Sequence, residues 1–197
     1  MILGISGKKR SGKDQLCTYL SAAFLGSKCF SYRCALADAL KKEVAKKFSK
    51  DFGLTVDGML LEMQTDGKKE KYRSILQWYG TEYRRTLFGD DYWFAAMQQV
   101  RVDEKDFAPG SPQIMIVPDI RFTSEAEWVR SQGGYLIRVE RPVLNSKDEH
   151  ISETELDDYG YFDRTFFNTG TLDNMRNWAG DFVSGFLQES AAGQKAV

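Results

Sequence analysis

The chain has 197 residues, of which 42% are hydrophobic and 28% are charged, and its formal net charge is −1. This balance is ordinary for a soluble globular protein and provides no basic field for binding nucleic acid. No apolar run approaches the roughly 18 residues of a membrane helix, and the apolar start is too short for a signal peptide. The three cysteines form no C-x-x-C pair, which argues against a disulfide framework or a zinc site. We therefore expect one domain over residues 1–188, with a tail at 189–197, in a reducing cytoplasm.

The first half of the chain begins with a predicted strand and continues mainly as helices. A short apolar run predicts a strand in "MILGIS", and apolar residues three or four positions apart predict a helix in "KDQLCTYLSAAFL". A second strand, "KCFSYRCA", precedes the predicted helices "ADALKKEVAKKF", "SILQWYGTEYRRTLF" and "DDYWFAAMQQVRV". Residues 49–72 are polar and contain Gly53, Gly58 and Gly67, so we expect an irregular or mobile insertion there.

The second half of the chain alternates between strand and helix. The continuous apolar run "QIMIVPD" is typical of a central parallel strand. Ser124 and Glu127 form a capping-box pattern that predicts the start of the helix "EAEWVRSQG". The strands "YLIRVER" and "DRTFFNTG" and the helix "LDNMRNWAGDFVSGFL" follow. This order predicts an α/β fold in which helices flank a mostly parallel sheet of about five strands.

The segment "GKKRSGKD", from Gly7 to Asp14, lies between the first strand and the first helix. A phosphate-binding loop needs inward backbone N–H groups, glycines where a side chain would block the anion, and a helix N-terminus behind them. The segment meets these needs, and Lys13 would lie at the terminal phosphates of a nucleotide. The alternative is a lysine-rich surface turn.

Two aspartates are candidate ligands of Mg²⁺. Asp14 stands where a phosphate loop usually has Ser or Thr, and Asp119 ends the apolar strand "QIMIVPD". Carboxylates bind Mg²⁺ directly or through water, and an acid at the end of a strand can hold the ion beside phosphates. Alternatively, Asp14 complements the helix dipole and Asp119 caps the next helix. Arg121 would point at a transferring phosphoryl group, against the alternative of a surface arginine.

Arginines also cluster in two later segments. Arg138 and Arg141 stand at the base of the polar connection "VLNSKDEHISE", which fits a closing lid whose helix restarts at a Ser152/Glu155 capping box. The helix "RSILQWYGTEYRR" carries Arg73, Arg84 and Arg85 near Gln77 and Thr81. Arginines on a helix are commonly solvated, and aromatic side chains such as Trp78 and Trp93 are more often core than base-stacking groups. We keep Arg84 and both tryptophans as candidates for the substrate side.

The chain resembles the bacteriophage-type deoxynucleoside monophosphate kinases over about four-fifths of its length. The segments that carry the resemblance keep one order: "GKKRSGKD", "FSYRCALADALKKEVA", "ILQWYGTEYRR", "GDDYW", "VPDIRFTSEAEWVRSQGGYLIRVERP", "ISETELDD" and "FNTGTLDNM". The resemblance implies a three-layer P-loop NTPase fold with an NMP-binding insertion at about 38–100 and a lid at about 141–155. It also implies transfer of phosphate from ATP, with Mg²⁺, to a deoxynucleoside monophosphate (dNMP), giving ADP and the diphosphate (dNDP).

The resemblance assigns the candidate residues to the two nucleotides. On the ATP side it implies loop contacts from Gly7, Lys9, Arg10, Ser11, Gly12, Lys13 and Asp14, and adenine contacts near Asn168, Gly170 and Thr171; we add Arg138 to this side. On the acceptor side it implies Arg73, Gln77, Thr81 and Arg85, with Arg85 the expected phosphate ligand. Arg121 would face the acceptor phosphate beside Asp119, and Arg141 would act from the lid. Asp38 and Lys41 match the start of the NMP-binding helices.

Other functions remain compatible with a phosphate loop. A kinase could act on another small phosphorylated metabolite, and a binding module could retain the fold without catalysis. A regulatory or nucleic-acid-associated ATPase would be expected to carry a second acid after Asp119, where this chain has Ile120. The expected partners are therefore two small nucleotides, without nucleic acid or membrane. The aromatic-rich segment "WYGTEYRRTLFGDDYWF" makes a homodimer a further expectation.

Overall fold

The computed structural model describes residues 1–65, 67–89, 92–97, 113–142 and 150–191. These residues divide into two compact units: residues 1–34 together with the described residues from 113 onward, and residues 35–97. In chain order the elements are β1 (Ile2–Ser6), α1 (Lys13–Gly26), β2 (Phe30–Arg33), α2 (Leu36–Phe48), α3 (Val56–Gln64), a 3₁₀ helix (Lys69–Tyr72), α4 (Arg73–Gln77), a π-helix (Trp78–Arg85), α5 (Thr86–Phe88), α6 (residues 92–97), β3 (Gln113–Ile120), α7 (Thr123–Ser131), β4 (Tyr135–Glu140), α8 (Ile151–Thr154), β5 (Arg164–Phe167) and α9 (Leu172–Ala191).

The first unit is built on a five-stranded sheet with the order β2-β3-β1-β4-β5. Every neighbouring pair of strands in this sheet is parallel. The central strand β1 is buried along its whole length, which explains why its sequence is apolar without alternation. The sheet confirms the predicted α/β class with about five parallel strands.

Helices pack on both faces of the sheet. On one face, Leu16, Leu20 and Phe24 of α1 join a core that includes residues of α9, which confirms the predicted apolar stripe of the first helix. On the other face, α7 packs closely against β1. A Cβ atom at Gly4 of β1 would lie 3.2 Å from a methyl group of Val129 in α7 and 2.8 Å from a methyl group of Leu136 in the neighbouring strand β4. A glycine in β1 is therefore required for this packing.

The strand order creates a change of winding direction beside β1. From β1 the chain turns toward the β2 edge of the sheet, and from β3 it turns toward the β5 edge. Ser6, the last residue of β1, pairs with Ile120 of β3 on one side and Arg138 of β4 on the other. Open α/β sheets bind ligands at such a point, outside the carboxyl ends of the strands. The segments that follow Ser6 and Ile120 therefore define the candidate site.

The second unit, residues 35–97, is helical in its described part. Its longest continuous helix runs through α4, a π-helix and α5, so the hydrogen-bond pattern changes in the middle. A Cβ atom at Gly80 in the π-helix would lie 3.0 Å from a methyl group of Leu40 in α2. The glycine thus lets the two helices pack closely. π-Helical turns are rare in proteins, but those that occur are often found at functional sites.

The predicted insertion 49–72 is more regular than the sequence indicated. It contains α3 and the 3₁₀ helix, and Thr55 caps α3 by accepting a hydrogen bond from the Gly58 N–H at 3.0 Å. Of the three glycines that suggested irregularity, Gly58 lies within α3, whereas Gly53 and Gly67 lie in turns with positive φ angles. Leu87, near the end of the predicted helix "SILQWYGTEYRRTLF", is 59% exposed, and the π-helix before it shifts the spacing of residues along the helix face.

Both predicted capping boxes are wrong in detail. At α7 the carboxylate of Glu125, and not the Ser124/Glu127 pair, accepts the Phe122 N–H at 3.1 Å. At α8 the cap is His150 and not Ser152, and the His150 Nδ1 accepts the Ser152 N–H at 3.2 Å. Each helix thus begins one or more residues before the predicted cap.

Several predictions lie outside the described residues. These are the ends of the predicted helix "DDYWFAAMQQVRV" at 90–91 and 98–102, the central part of the lid at 143–149, and the last six residues of the tail. Among the helices that the structure describes, none is long and apolar enough to cross a membrane.

Candidate phosphate-binding site

The loop between β1 and α1 has the backbone of an anion-binding turn. Gly7 and Gly12 have φ angles of 146° and 104°, in the region that favours glycine. A Cβ atom at Gly7 would lie 2.4 Å from the carbonyl oxygen of Val139, so no other residue fits there. Arg10 also has a positive φ of 62°, which is uncommon for a residue with a side chain. Backbone strain of this kind is concentrated at binding sites.

Lys13 begins α1 and is folded onto the loop. Its ammonium group donates hydrogen bonds to the carbonyl oxygens of Gly7 at 2.5 Å and Lys8 at 2.7 Å. Burial, followed by the charge of the Arg121 guanidinium, lowers the pKa of Lys13 to about 8, although nearby carboxylates oppose the shift. The ammonium group therefore lies in an environment poor in water, where an added anion would stabilise its charge strongly.

A buried carboxylate lies against the loop. Glu153 of α8, whose side chain is only 1% exposed, forms an ion pair with Arg121 and accepts the Lys9 backbone N–H at 2.8 Å. Burial alone would raise the pKa of Glu153, but the Arg121 guanidinium and the Lys9 N–H hold it below its usual range. The loop amide and the arginine are therefore already bound to an anionic group of the chain itself.

A second carboxylate, four residues after Glu153, binds two further cations. Asp157 accepts hydrogen bonds from the Lys8 ammonium at 2.6 Å and from the Arg138 guanidinium at 3.0 Å. Arg138 also reaches the hydroxyl of Ser6 at 3.4 Å, as expected from the pairing of these residues in the sheet. Arg138 thus lies beside the loop, on the side of β1 opposite Ile120.

Two other predicted residues contact the carbonyl groups of the loop. Arg141 donates to the Arg10 carbonyl at 3.4 Å, and Asn168 donates to the Ser11 carbonyl at 2.8 Å. Among the described residues, the buried hydroxyl of Ser11 has no hydrogen-bond partner. A buried polar group without a partner is uncommon and marks a place where a ligand can bind. Thr171 and the adjacent Gly170 are exposed, and Thr171 caps α9 by accepting the Asn174 N–H at 3.3 Å.

The predicted Mg²⁺ ligands are placed at the start of α1 and near the end of β3. Asp14 is exposed, Asp119 is half-buried, and the charges of both carboxylates act on Lys13. Mg²⁺ is usually held by one or two carboxylates together with substrate phosphates and water, so this pair fits the ion. No cluster of three or more acidic, histidine or cysteine side chains suited to a metal occurs within the described ranges.

In the second unit, Arg84 forms an ion pair of its own and is surrounded by aromatic rings. Its guanidinium binds Glu43 of α2 at 2.7 Å and lies over the rings of Tyr79 and Tyr92, each about 5 Å away. Glu43 also accepts hydrogen bonds from both phenol groups. Burial, followed by the hydrogen bond to Glu43, raises the pKa of Tyr92 to about 12. These contacts give Arg84 a structural role, whereas the sequence analysis kept it as a candidate for the substrate side.

The remaining acceptor-side candidates also lie on the helices of the second unit. Asp38 and Lys41 form an i,i+3 ion pair of 3.6 Å on α2. Trp93 is 3% exposed and its indole N–H binds the Gly80 carbonyl, which favours a core role, whereas Trp78 is 45% exposed. The other candidates (Arg73, Gln77, Thr81, Arg85) are half-buried on the continuous helix of α4 and the π-helix.

Sequence reasoning missed the carboxylates that organise both units. Glu153 and Asp157 lie in "ISETELDD", where the acidic residues suggested a helix cap and a resemblance but no contact with the loop. Glu43 lies in "ADALKKEVAKKF", where charged residues suggest a solvated face. The four-residue spacing of Glu153 and Asp157 was the one available signal, since it places two acids on the same side of a helical turn.

Comparisons with known proteins give one clear result. The family model for deoxynucleotide monophosphate kinase matches residues 62–178 of this chain. A protein of Acanthamoeba polyphaga mimivirus, provisionally named a deoxynucleotide monophosphate kinase, is 27% identical over 193 residues, covering 89% of this chain and 92% of that protein. Among solved structures, shikimate kinase from Aquifex aeolicus covers 95% of this chain and 99% of its own, with a TM-score of 0.45 and 13% identity. That structural likeness is too weak to bear on fold or function.

Proposed function

Because the chain belongs to the deoxynucleotide monophosphate kinase family, we propose that it transfers the γ-phosphate of ATP to a deoxynucleoside 5′-monophosphate, giving ADP and a dNDP. The observation that carries this proposal is the convergence of cationic groups on the glycine loop after β1. Lys13 is folded onto the loop, Arg141 binds the Arg10 carbonyl, and Arg121 is close enough to lower the pKa of Lys13. Such a set of cations suits a polyphosphate.

In the proposed reaction the loop holds the phosphates of ATP. The loop N–H groups and the N-terminus of α1 face the anion, and the unpaired Ser11 hydroxyl is available to a phosphate oxygen. The Lys13 ammonium exchanges the carbonyl groups of Gly7 and Lys8 for phosphate oxygens. These contacts orient the chain of phosphates before transfer.

The transfer itself needs charge neutralisation more than covalent chemistry. An oxygen of the acceptor phosphate forms a bond to the γ-phosphorus while the bond to the bridging β–γ oxygen breaks, and ADP leaves with that oxygen. The attacking oxygen is already ionised, so no general base is required. Lys13 and Arg121 stabilise the charge that develops on the transferred group. Asp14 and Asp119 would hold Mg²⁺, which supplies further neutralisation of the phosphate oxygens when bound.

We assign the acceptor nucleotide to the second unit. Arg85, Arg73, Gln77 and Thr81 lie on the helix that contains the π-helical turn, and π-helical segments are frequent at functional sites. Arg85 is the expected ligand of the acceptor phosphate because a guanidinium binds a phosphate through two parallel hydrogen bonds. Trp78 is exposed enough for a base to stack on it.

The proposal is tested with a panel of the four dNMPs and the four ribonucleoside monophosphates, each with ATP and Mg²⁺. ADP formation and dNDP formation are both measured, and Lys13→Ala serves as the control for contaminating kinase. We expect equal amounts of ADP and dNDP with at least one dNMP, and neither product with Lys13→Ala.

Three results would contradict the proposal. ADP without dNDP would indicate an ATPase, and activity restricted to sugar or isoprenoid phosphates would indicate a kinase for another metabolite. Binding of ATP without any product would indicate a binding module that has kept the fold.

A further inference from the structure

The segment that follows the polar connection binds the phosphate loop through two carboxylates. Glu153 accepts a hydrogen bond from the Lys9 N–H and forms an ion pair with Arg121. Four residues later, Asp157 forms ion pairs with Lys8 and Arg138. We call residues 150–158 the acidic segment. Its two carboxylates bind groups that, in the proposed function, serve the phosphates of a nucleotide.

The position of Glu153 differs from that of an ordinary surface ion pair. A backbone N–H of a phosphate loop is a donor arranged for an anion, and here the anion is a side chain of the same protein. The carboxylate is almost completely buried, with Arg121 on one side and the charge of Lys13 acting on it as well. A buried carboxylate is stable only when its acceptor positions are filled, and here the Lys9 N–H of the loop and the Arg121 guanidinium fill them.

We propose that Glu153 is an intramolecular substitute for a nucleotide phosphate. It holds the Lys9 N–H and Arg121 in the nucleotide-free protein, and an entering polyphosphate displaces it, so that the acidic segment separates from the loop. This inference rests on the proposed function only in that the loop must bind phosphates.

The exchange has a direct consequence for affinity. A polyphosphate carries more negative charge and more acceptor oxygens than one carboxylate, so it wins the shared donors. The protein must first release Glu153, and the apparent affinity is reduced by the fraction of molecules in which the donors are occupied. If about nine molecules in ten are so occupied, removing the carboxylate should strengthen binding about tenfold.

The test uses inorganic tripolyphosphate as the probe, with EDTA present, and measures its Kd by calorimetry. Glu153→Gln keeps the shape of the side chain and removes its charge. The matched control is Glu155→Gln, which makes the same change of charge two residues away, where the carboxylate accepts the Thr123 N–H at 2.7 Å and not a loop donor. We expect Kd to fall about fivefold to tenfold in Glu153→Gln and by less than twofold in Glu155→Gln.

Each other outcome overturns the proposal in a recognisable way. An unchanged Kd in Glu153→Gln would mean that the carboxylate does not compete with phosphate. A raised Kd would mean that Glu153 positions Arg121 for phosphate. Equal decreases in both variants would reflect net charge alone. If none of the proteins bound tripolyphosphate, the role of Glu153 as a substitute for phosphate would be wrong. The proposed phosphate loop would then also be wrong, unless the nucleotide panel showed kinase activity.

A measurement on the wild-type chain covers the case in which Glu153→Gln does not fold. Hydrogen exchange of the backbone amides is followed by mass spectrometry with and without tripolyphosphate. We expect faster exchange in residues 150–158 and slower exchange in residues 7–13 when the probe is bound. Slower or unchanged exchange in the acidic segment would overturn the proposal.

Discussion

Each unit of the molecule contains a partly or fully buried pair of arginine and glutamate, and the two pairs have different surroundings. Arg121 and Glu153 lie at the phosphate loop of the first unit, and Arg84 and Glu43 lie among the helices of the second. In both, burial alone would lower the pKa of the arginine, and the carboxylate partner raises it instead. The pairs are therefore alike in their direct chemistry.

The difference lies in the other partners of each carboxylate. Glu153 accepts a backbone N–H of a glycine loop, a donor that any phosphate can also use. Glu43 accepts hydrogen bonds from two phenol groups, and its partner Arg84 is enclosed by aromatic rings. None of these groups is a backbone N–H of a phosphate-binding loop. The comparison indicates that donors shared with a ligand make an ion pair exchangeable, whereas an aromatic enclosure makes it structural.

The largest effect should come from removing the cation that the loop holds. Lys13→Ala should lower the rate of phosphoryl transfer at least about 10³-fold, because the charge on the transferred group loses its nearest ammonium. The free energy of unfolding should change little, because the cost of burying the ammonium group offsets the hydrogen bonds that it donates to the Gly7 and Lys8 carbonyls. Steady-state kinetics and urea unfolding measure the two quantities. Near-wild-type turnover in this variant would place the chemistry elsewhere.

The pair in the second unit should show the opposite pattern. Arg84→Met keeps the length of the side chain but leaves Glu43 without its cation, which should lower the free energy of unfolding by about 2 kcal/mol. Urea unfolding measures this loss, and kinetics on the folded protein should show a smaller change in the KM of the acceptor than Arg85→Ala does.

A reversed pattern would remove the distinction between the two pairs. If Arg84→Met raised the KM of the acceptor strongly and left stability unchanged, the arginine would be a substrate ligand, as the sequence alone suggested. The variant Glu43→Gln would then be expected to leave the KM nearly unchanged.

The neighbouring arginine provides a third prediction. Arg85→Ala should raise the KM of the acceptor nucleotide at least about tenfold, because the phosphate loses the paired hydrogen bonds of the guanidinium, and should change the KM of ATP by less than twofold. The KM of each nucleotide is measured with the other at saturation. Equal effects on the two nucleotides would mean that Arg85 does not belong to the acceptor side.

The sequence predicted the first unit better than the second because local patterns decide its main features. A strand buried on both faces is apolar throughout, and the phosphate loop needs glycine at positions such as Gly7 that admit no other residue. The π-helix could not be predicted, since Trp78–Arg85 has the same apolar spacing as an ordinary helix and its packing depends on the contact of Gly80 with Leu40.

The site was predictable on its cationic side and not on its anionic side. Lysines and arginines beside a glycine loop indicate phosphate without reference to the rest of the chain. The role of Glu153 depends on a contact with Lys9, which lies 144 residues earlier, and no pattern within "ISETELDD" encodes that distance. The same holds for Glu43 and Arg84, which lie on different helices.

The smallest effect concerns the pH dependence of stability. Because the pKa of Glu153 is below its usual value in the folded chain, the carboxylate stabilises the fold above its unfolded pKa of 4.5, and this contribution is lost as the pH falls through the lower, folded pKa. Between about pH 6 and pH 3.5, the wild type should therefore lose more of its free energy of unfolding than Glu153→Gln does. Urea unfolding at both pH values measures the difference. Parallel losses in the two proteins would mean that Arg121 and the Lys9 N–H do not stabilise the ionised carboxylate, and the distinction drawn between the two pairs would then rest on Glu43 alone.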